Sequence, residues 1–140
     1  MKNFNLIRFF ITVVVLYVID AFINYLLHGV LLADAYAQLD IWRDNMQEKM
    51  YIGYIVSAIY LLVFVFLYHH FVQGYYKSGL VAGVCYGFLV GILGIGMIWQ
   101  YVLYPLPLSM MIKWYVSHLI LQVVYGIITF YIYKLKKIEE

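Results

Sequence analysis

The sequence predicts an all-α membrane protein: an antiparallel bundle of four transmembrane helices with both termini in the cytoplasm. Hydrophobic residues make up 66% of the 140-residue chain and charged residues only 11%, whereas about 25% of an average soluble protein is charged. A soluble fold of this size needs a polar surface that so few charges cannot supply. Four stretches are also long and apolar enough to cross a bilayer, which takes about 20 residues per helix.

The four predicted spans belong to one domain, residues 1–140. They cover residues of about 6–32, 52–72, 80–104 and 108–133. Around Pro105 and Pro107 the third helix ends and the fourth begins, because proline lacks the amide hydrogen that a helix interior needs. We expect the first span to stay uncleaved, since its apolar run is too long for a signal peptide and Asp20 interrupts it.

One longer loop, at about residues 33–51, separates the first two spans. Within it, apolar residues recur at helical spacing and acidic residues lie between them. The apolar residues are Leu39, Trp42, Met46 and Met50. This pattern is typical of an amphipathic helix that lies on the membrane surface.

Basic residues predict the orientation, because cytoplasmic loops carry an excess of lysine and arginine. Three basic residues fall on the side of the loop at 33–51, namely Arg43, Lys49 and Lys113. Six fall on the opposite side, namely Lys2, Arg8, Lys77, Lys134, Lys136 and Lys137. Both termini are therefore predicted to be cytoplasmic, and the loop at 33–51 is predicted to lie outside.

Polar residues form a face on the first predicted helix. Asp20, Asn24 and His28 follow one another at intervals of four residues, which places them on one side of an α-helix. An acid at the membrane centre costs about 2.5–3.5 kcal/mol on insertion scales. This face must therefore point into the bundle or toward a partner. We expect Gln100 of the third span to lie near His28.

The fourth predicted helix carries a matching polar face. His118 and Gln122 lie on it, and a rise of about 1.5 Å per residue gives them depths similar to those of Asn24 and Asp20. Two polar layers are therefore expected, Asn24 with His118 and Asp20 with Gln122. One interpretation is structural, since polar side chains join membrane helices by hydrogen bonds. The other is a buried site for a proton, a metal, a lipid headgroup or a quinone.

Glycines recur every fourth residue along the third predicted helix. They are Gly79, Gly83, Gly87 and Gly91. Repeated GxxxG spacing lets another backbone approach closely, because no side chain intervenes. The partner could be another helix of this bundle, a second copy, a larger complex or a flat cofactor ring.

Several function classes lack support in the sequence. No motif of a catalytic class occurs, so we expect no enzyme. The net charge of +2 is too small for nucleic-acid binding, and the single cysteine, Cys85, makes no CxxC motif. His28 and His118 differ in depth, which disfavours a haem held by both. A copper site of His28, His118, Met46 and Met50 is a further hypothesis, since thioether and imidazole groups suit Cu(I). The cofactor stays unknown.

Short motifs along most of the chain resemble a family of small four-span bacterial inner-membrane proteins of unknown function. The first is His28-Gly29-Val30-Leu31-Leu32, followed by Tyr36 and Trp42-Arg43. The later ones are Gly83, Tyr86-Gly87, Gly91, Tyr104-Pro105-Leu106-Pro107, Trp114, His118, Gln122 and Gly126. The resemblance implies a multi-pass protein of the bacterial inner membrane and brings no activity with it.

Three functions fit these observations. The leading one is a non-enzymatic accessory protein that packs in a larger membrane complex or with itself, within the lipid bilayer. The first alternative is a membrane protein that binds a cofactor, a metal, a lipid or a quinone at the polar site. The second is a small proton-coupled transporter that uses Asp20.

Overall fold

A computed structural model describes residues 4–39, 46–72, 79–99, 102 and 106–134. Helices dominate these residues, and no strand occurs among them. Four helices are long and apolar enough to cross a membrane: Leu6–Leu31, Glu48–Val72, Leu80–Ile98 and Leu108–Tyr133. They confirm the predicted all-helical fold with four apolar helices, and they indicate a multi-pass membrane protein.

Three of the four spans change their helix type along their length. The first consists of the α-helix Leu6–Asn24 followed by the π-helix Tyr25–Leu31. The second consists of the α-helix Met46–Leu67 followed by the π-helix Tyr68–Val72. The third consists of the α-helix Leu80–Leu93 and the 3-10 helix Gly94–Trp99, whereas the fourth is one α-helix, Leu108–Lys134. A π-helix widens the turn and is frequent at functional sites.

The connection between the first two spans differs from the predicted surface helix. Its one short helix among the described residues is Ala33–Ala37. Met46 and Met50 belong instead to the helix of the second span, which begins six residues before the predicted start at 52. Gln47, Glu48 and Lys49 favour helix, so the helix continues backward beyond the apolar run. Trp42 and the acidic residues 40 and 44 lie outside the described residues.

Close backbone contact joins the third and fourth spans. A Cβ atom at Gly83 would lie 2.6 Å from the carbonyl oxygen of Gly126, and one at Gly91 would lie 2.6 Å from Leu119 Cδ1. Gly87 packs in the same way against the backbone of Gln122. A Cβ at Gly83 or Gly87 would therefore displace the fourth span, whereas one at Gly91 would first meet the side chain of Leu119. This pair of helices is the most closely packed part of the bundle.

Gly79 does not share this contact, although it has the same spacing. A Cβ atom there would have nothing within 4 Å. Gly79 occupies the N-cap position before Leu80 and has an extended backbone (φ −98°, ψ 167°). Since it lies outside the helix, the four-residue periodicity does not carry it onto the packed face.

The hydrophobic core lies toward the end of the bundle that contains Arg8, called here the Arg8 end. Its fully buried side chains include Leu16, Phe64 and Tyr68. The Arg8 guanidinium donates hydrogen bonds to the carbonyl oxygens of Ile132 (3.5 Å) and Tyr133 (3.4 Å). These carbonyls are near the end of the last helix, where a cation is stabilising. The start of the first span is thereby tied to the end of the fourth.

The opposite end of the bundle, called here the Tyr36 end, has a much smaller core. It consists of Leu106, Met110 and Met111, with partly buried residues of the first connection packed against it. Between this small cluster and the main core lie the polar residues of the first and fourth spans. The bundle is therefore closely packed at one end and more open toward the other.

Candidate functional site

Asp20 is the centre of a hydrogen-bonded group inside the bundle. Tyr125 of the fourth span donates its hydroxyl hydrogen to Asp20 Oδ1 at 2.5 Å. Asn24 donates from Nδ2 to the same oxygen at 2.8 Å, and to the carbonyl oxygen of Asp20 at 2.9 Å. The other carboxylate oxygen, Oδ2, accepts no hydrogen bond from a described residue. One oxygen of this acid is thus held in place while the other is available.

The residues of the two predicted polar layers border one space, since Asp20, Asn24, His118 and Gln122 all line the smaller cavity. Their hydrogen bonds go to other partners. Asp20 accepts from Tyr125, and Gln122 Oε1 accepts from the hydroxyl of Tyr60 at 2.8 Å. Asn24 donates to Asp20. Tyrosine hydroxyls that reach across the bundle thus supply the hydrogen bonds between the helices.

His118 lies against the third span. A Cβ atom at Gly94 would lie 2.5 Å from His118 Cδ2 and 2.7 Å from Nε2. The imidazole therefore fills the space left by this glycine, at the point where the α-helix of the third span ends. Gly94 thus extends the row of glycines on the third span against which atoms of the fourth span pack.

Three rings form a cluster at the Tyr36 end, called here the ring cluster: His28, Tyr36 and Trp114. His28 Nδ1 and the Tyr36 hydroxyl form a hydrogen bond, and Trp114 Nε1 donates to the same hydroxyl at 2.7 Å. The rings of His28 and Tyr36 are stacked with centroids 5.8 Å apart.

Burial raises the pKa of the Tyr36 phenol above its ordinary value, and the hydrogen bond from Trp114 opposes this in part. The phenol is therefore protonated at neutral pH. Gln100, expected near His28, lies outside the described residues.

His28 lies in the π-helix of the first span. The α-helix ends at Asn24, and the wider turns begin at Tyr25. His28 nevertheless stays on the side of the span that Asp20 and Asn24 occupy, since all three line both cavities. Its ring also belongs to the ring cluster.

Two adjoining cavities surround this site. The larger, of about 980 Å³, lies between the first and second spans, and its lining includes Tyr17, Lys49 and Gly53. The smaller, of about 430 Å³, lies between the first, second and fourth spans, and its lining includes Tyr60 and His118. Four residues line both cavities, namely Asp20, Asn24, His28 and Ser57. The row of polar residues in the first span thus borders both spaces, of which the larger is an open groove where Tyr25 and Tyr54 are exposed.

The second span supplies site residues that the sequence analysis did not single out. Lys49, Gly53 and Ser57 line the larger cavity at intervals of four residues, and Tyr60 completes the polar group around Gln122. The helical spacing of these small and polar residues within an apolar run is the signal that could have identified them. It is weaker than that of Asp20, because serine and glycine are common in membrane helices.

Metal ligands are not grouped in the part of the chain that the structure describes. No set of three or more His, Cys, Asp or Glu side chains comes together there. Met50 lines the larger cavity with His28, whereas His118 lines the smaller one. The side chain of Met46 lies outside the described residues. The haem and copper hypotheses therefore gain no support from this geometry.

No protein-family model matches the chain, and no curated protein or solved structure matches it.

Proposed function

We propose that this protein binds a small lipophilic molecule in the larger cavity and performs no reaction on it. The observation that carries the proposal is a space of about 980 Å³ bordered by Asp20, Asn24 and His28. Ligand sites are typically clefts of about 300–1,000 Å³ with a mostly apolar lining and a few convergent polar groups. The larger cavity has this size and this composition.

The unfilled space beside Asp20 supports a binding site. Side chains that only join helices would form hydrogen bonds with a neighbouring helix and leave no space beside them. Here Asp20 keeps one carboxylate oxygen without a partner among the described residues, and it borders two cavities. A polar group without a hydrogen-bond partner raises the free energy of a membrane protein. A functional use of Asp20 is therefore the better explanation.

The glycine row no longer supports an accessory function. The glycine row was its main attachment surface, but Gly83, Gly87 and Gly91 already pack against the fourth span. Packing in a larger complex or with a second copy therefore needs another surface. The second candidate function is the small proton-coupled transporter. Asp20 borders both cavities and could bind the proton whose movement is coupled to that of the ligand.

We propose the bacterial inner membrane as the location, with both termini in the cytoplasm and the four spans antiparallel. The excess of basic residues on the side of the termini supports the orientation. The contact of Arg8 with the end of the fourth span supports the antiparallel order of these two helices. The resemblance to small bacterial four-span proteins supports the location.

The test fills the larger cavity and measures what the protein retains. Gly53 lines this cavity, and a Cβ atom there would have nothing within 4 Å, so that Gly53→Trp fits without displacing the backbone. Gly96→Trp is the matched control, because Gly96 has equally open surroundings and lines neither cavity. Native mass spectrometry of the full chain, released from mild detergent, measures bound molecules.

We expect a small-molecule adduct on the wild type and on Gly96→Trp, and its loss from Gly53→Trp. An adduct that both variants retain equally would contradict the proposal. So would a bare chain that purifies with a stoichiometric protein partner, which is the result that an accessory subunit gives. An absorbance spectrum and a metal analysis of the same sample test the haem and copper hypotheses.

A further inference from the structure

We infer that the ligand of the larger cavity is an organic cation, recognised by the carboxylate of Asp20 and the ring faces of nearby tyrosines. The inference rests on the proposed binding function and specifies its ligand class.

Asp20 is the one acid among the described residues that line the larger cavity. Asp20 forms no ion pair there, and its two hydrogen-bond partners, Tyr125 and Asn24, are neutral. Both donate to Oδ1, so Oδ2 is the acceptor left for a ligand. Membrane-embedded acids usually pair with a positive group. A cationic ligand is the partner that this carboxylate lacks.

The walls of the same cavity carry four tyrosines. They are Tyr17, Tyr25, Tyr36 and Tyr54. The negative face of an aromatic ring attracts a cation, most strongly where water is excluded. Quaternary ammonium groups are recognised by cages of several such rings. Tyrosine rings also provide apolar surface, which suits a cation with a hydrophobic body.

Lys49 places a positive charge at the Tyr36 end of the cavity. It lies in the first turn of the second span's helix and is exposed, whereas Ser57 borders the space beside Asp20. Eight residues separate the two along the helix, a distance of about 12 Å. At this distance Lys49 repels a bound cation only weakly, because water and salt screen exposed charges. Replacing Lys49 with a neutral residue should therefore strengthen binding of the cation, whereas replacing Asp20 should weaken it.

The test compares two ions of nearly equal size and opposite charge, tetraphenylphosphonium and tetraphenylborate. Equilibrium dialysis measures their binding to the full chain in a neutral detergent. We expect the cation to bind saturably and the borate not to compete with it. Binding of the cation should weaken at least about tenfold in Asp20→Asn, and it should tighten about two- to threefold in Lys49→Gln.

Asp20→Asn keeps an acceptor for Tyr125 and Asn24, so the fold should survive the change. Asp20→Glu, which retains the charge, should keep most of the affinity, and circular dichroism checks the helix content of each variant. Equal binding of both ions, or unchanged binding of the cation in Asp20→Asn, would overturn the inference. If Gly53→Trp still removes the native adduct in that case, the proposed function stands and the ligand is neutral. If it does not, both fail.

Discussion

Asp20 and Tyr125 are 105 positions apart in the sequence, and their hydrogen bond is the shortest link between the first and fourth spans. A tyrosine places its hydroxyl about 6.5 Å from its own backbone, which lets it reach an acid on another helix. Tyr60 does the same for Gln122 from the second span. The polar centre of this bundle is thus assembled by tyrosines. The carboxylate and the amide supply the acceptors.

Tyr125→Phe tests how much the hydrogen bond between Tyr125 and Asp20 stabilises the protein. Removing the hydroxyl should lower the free energy of unfolding by about 1–2 kcal/mol, because a donor to the half-buried carboxylate of Asp20 is lost. Unfolding of the purified protein in mixed micelles, followed by circular dichroism, measures the change.

Tyr115→Phe is the control, since Tyr115 lies on the same helix and makes no hydrogen bond with a described residue. It should leave the stability unchanged within about 0.5 kcal/mol. Equal losses in the two variants would show that the hydroxyl of Tyr125 contributes nothing specific.

At the scale of helices, the third and fourth spans form one closely packed unit. Gly83 and Gly126 face each other, each at the position where the other's carbonyl approaches. Gly87 and Gly91 extend this contact, and Gly94 receives the ring of His118. Since lipid tails are as apolar as leucine, such close backbone packing is a principal source of helix association in membranes. The first and second spans lack an equivalent row, and the larger cavity lies between them.

Gly87→Ala should destabilise the bundle by about 2 kcal/mol, because its methyl group would meet the backbone of Gln122 and Val123. The drop in melting temperature, measured by light scattering in detergent, reports this loss. Gly79→Ala is the matched control, as a Cβ there has open space. A similar drop in both variants would contradict the contact between the third and fourth spans.

Across the whole molecule, packing and polarity are divided between the two ends. The Arg8 end contains the main hydrophobic core and the contact of Arg8 with the last helix. The more open half toward Tyr36 contains both cavities, the ring cluster and Lys49. This division places the candidate site in the half that the charge distribution predicts to face outward.

The predicted orientation is tested by labelling single cysteines in intact cells. In a Cys85→Ser background, Asp34→Cys should react with a membrane-impermeant maleimide added outside, because the connection after the first span is predicted to be external. Lys137→Cys should react only after the membrane is permeabilised. Labelling in the reverse pattern would place the termini outside and would move the candidate site to the cytoplasmic half.

The sequence by itself determined the fold class and the approximate spans. Long apolar runs with few charges leave no alternative to membrane helices, since each backbone polar group must find its partner within the segment. It also indicated which residues matter, because Asp20, Asn24 and the glycines stand out against an apolar background. These signals are local, and each can be taken from a single stretch of chain.

Only the tertiary structure decided how these residues combine. The ring cluster of His28 with Tyr36 and Trp114 forms because the connection after the first span packs beside the fourth span. The choice of Tyr125 as the partner of Asp20, and the cavity between the first and second spans, depend on how four helices pack. Depth along a helix can be counted from the sequence, whereas the rotation of each helix and the space between helices result from side-chain packing across the bundle.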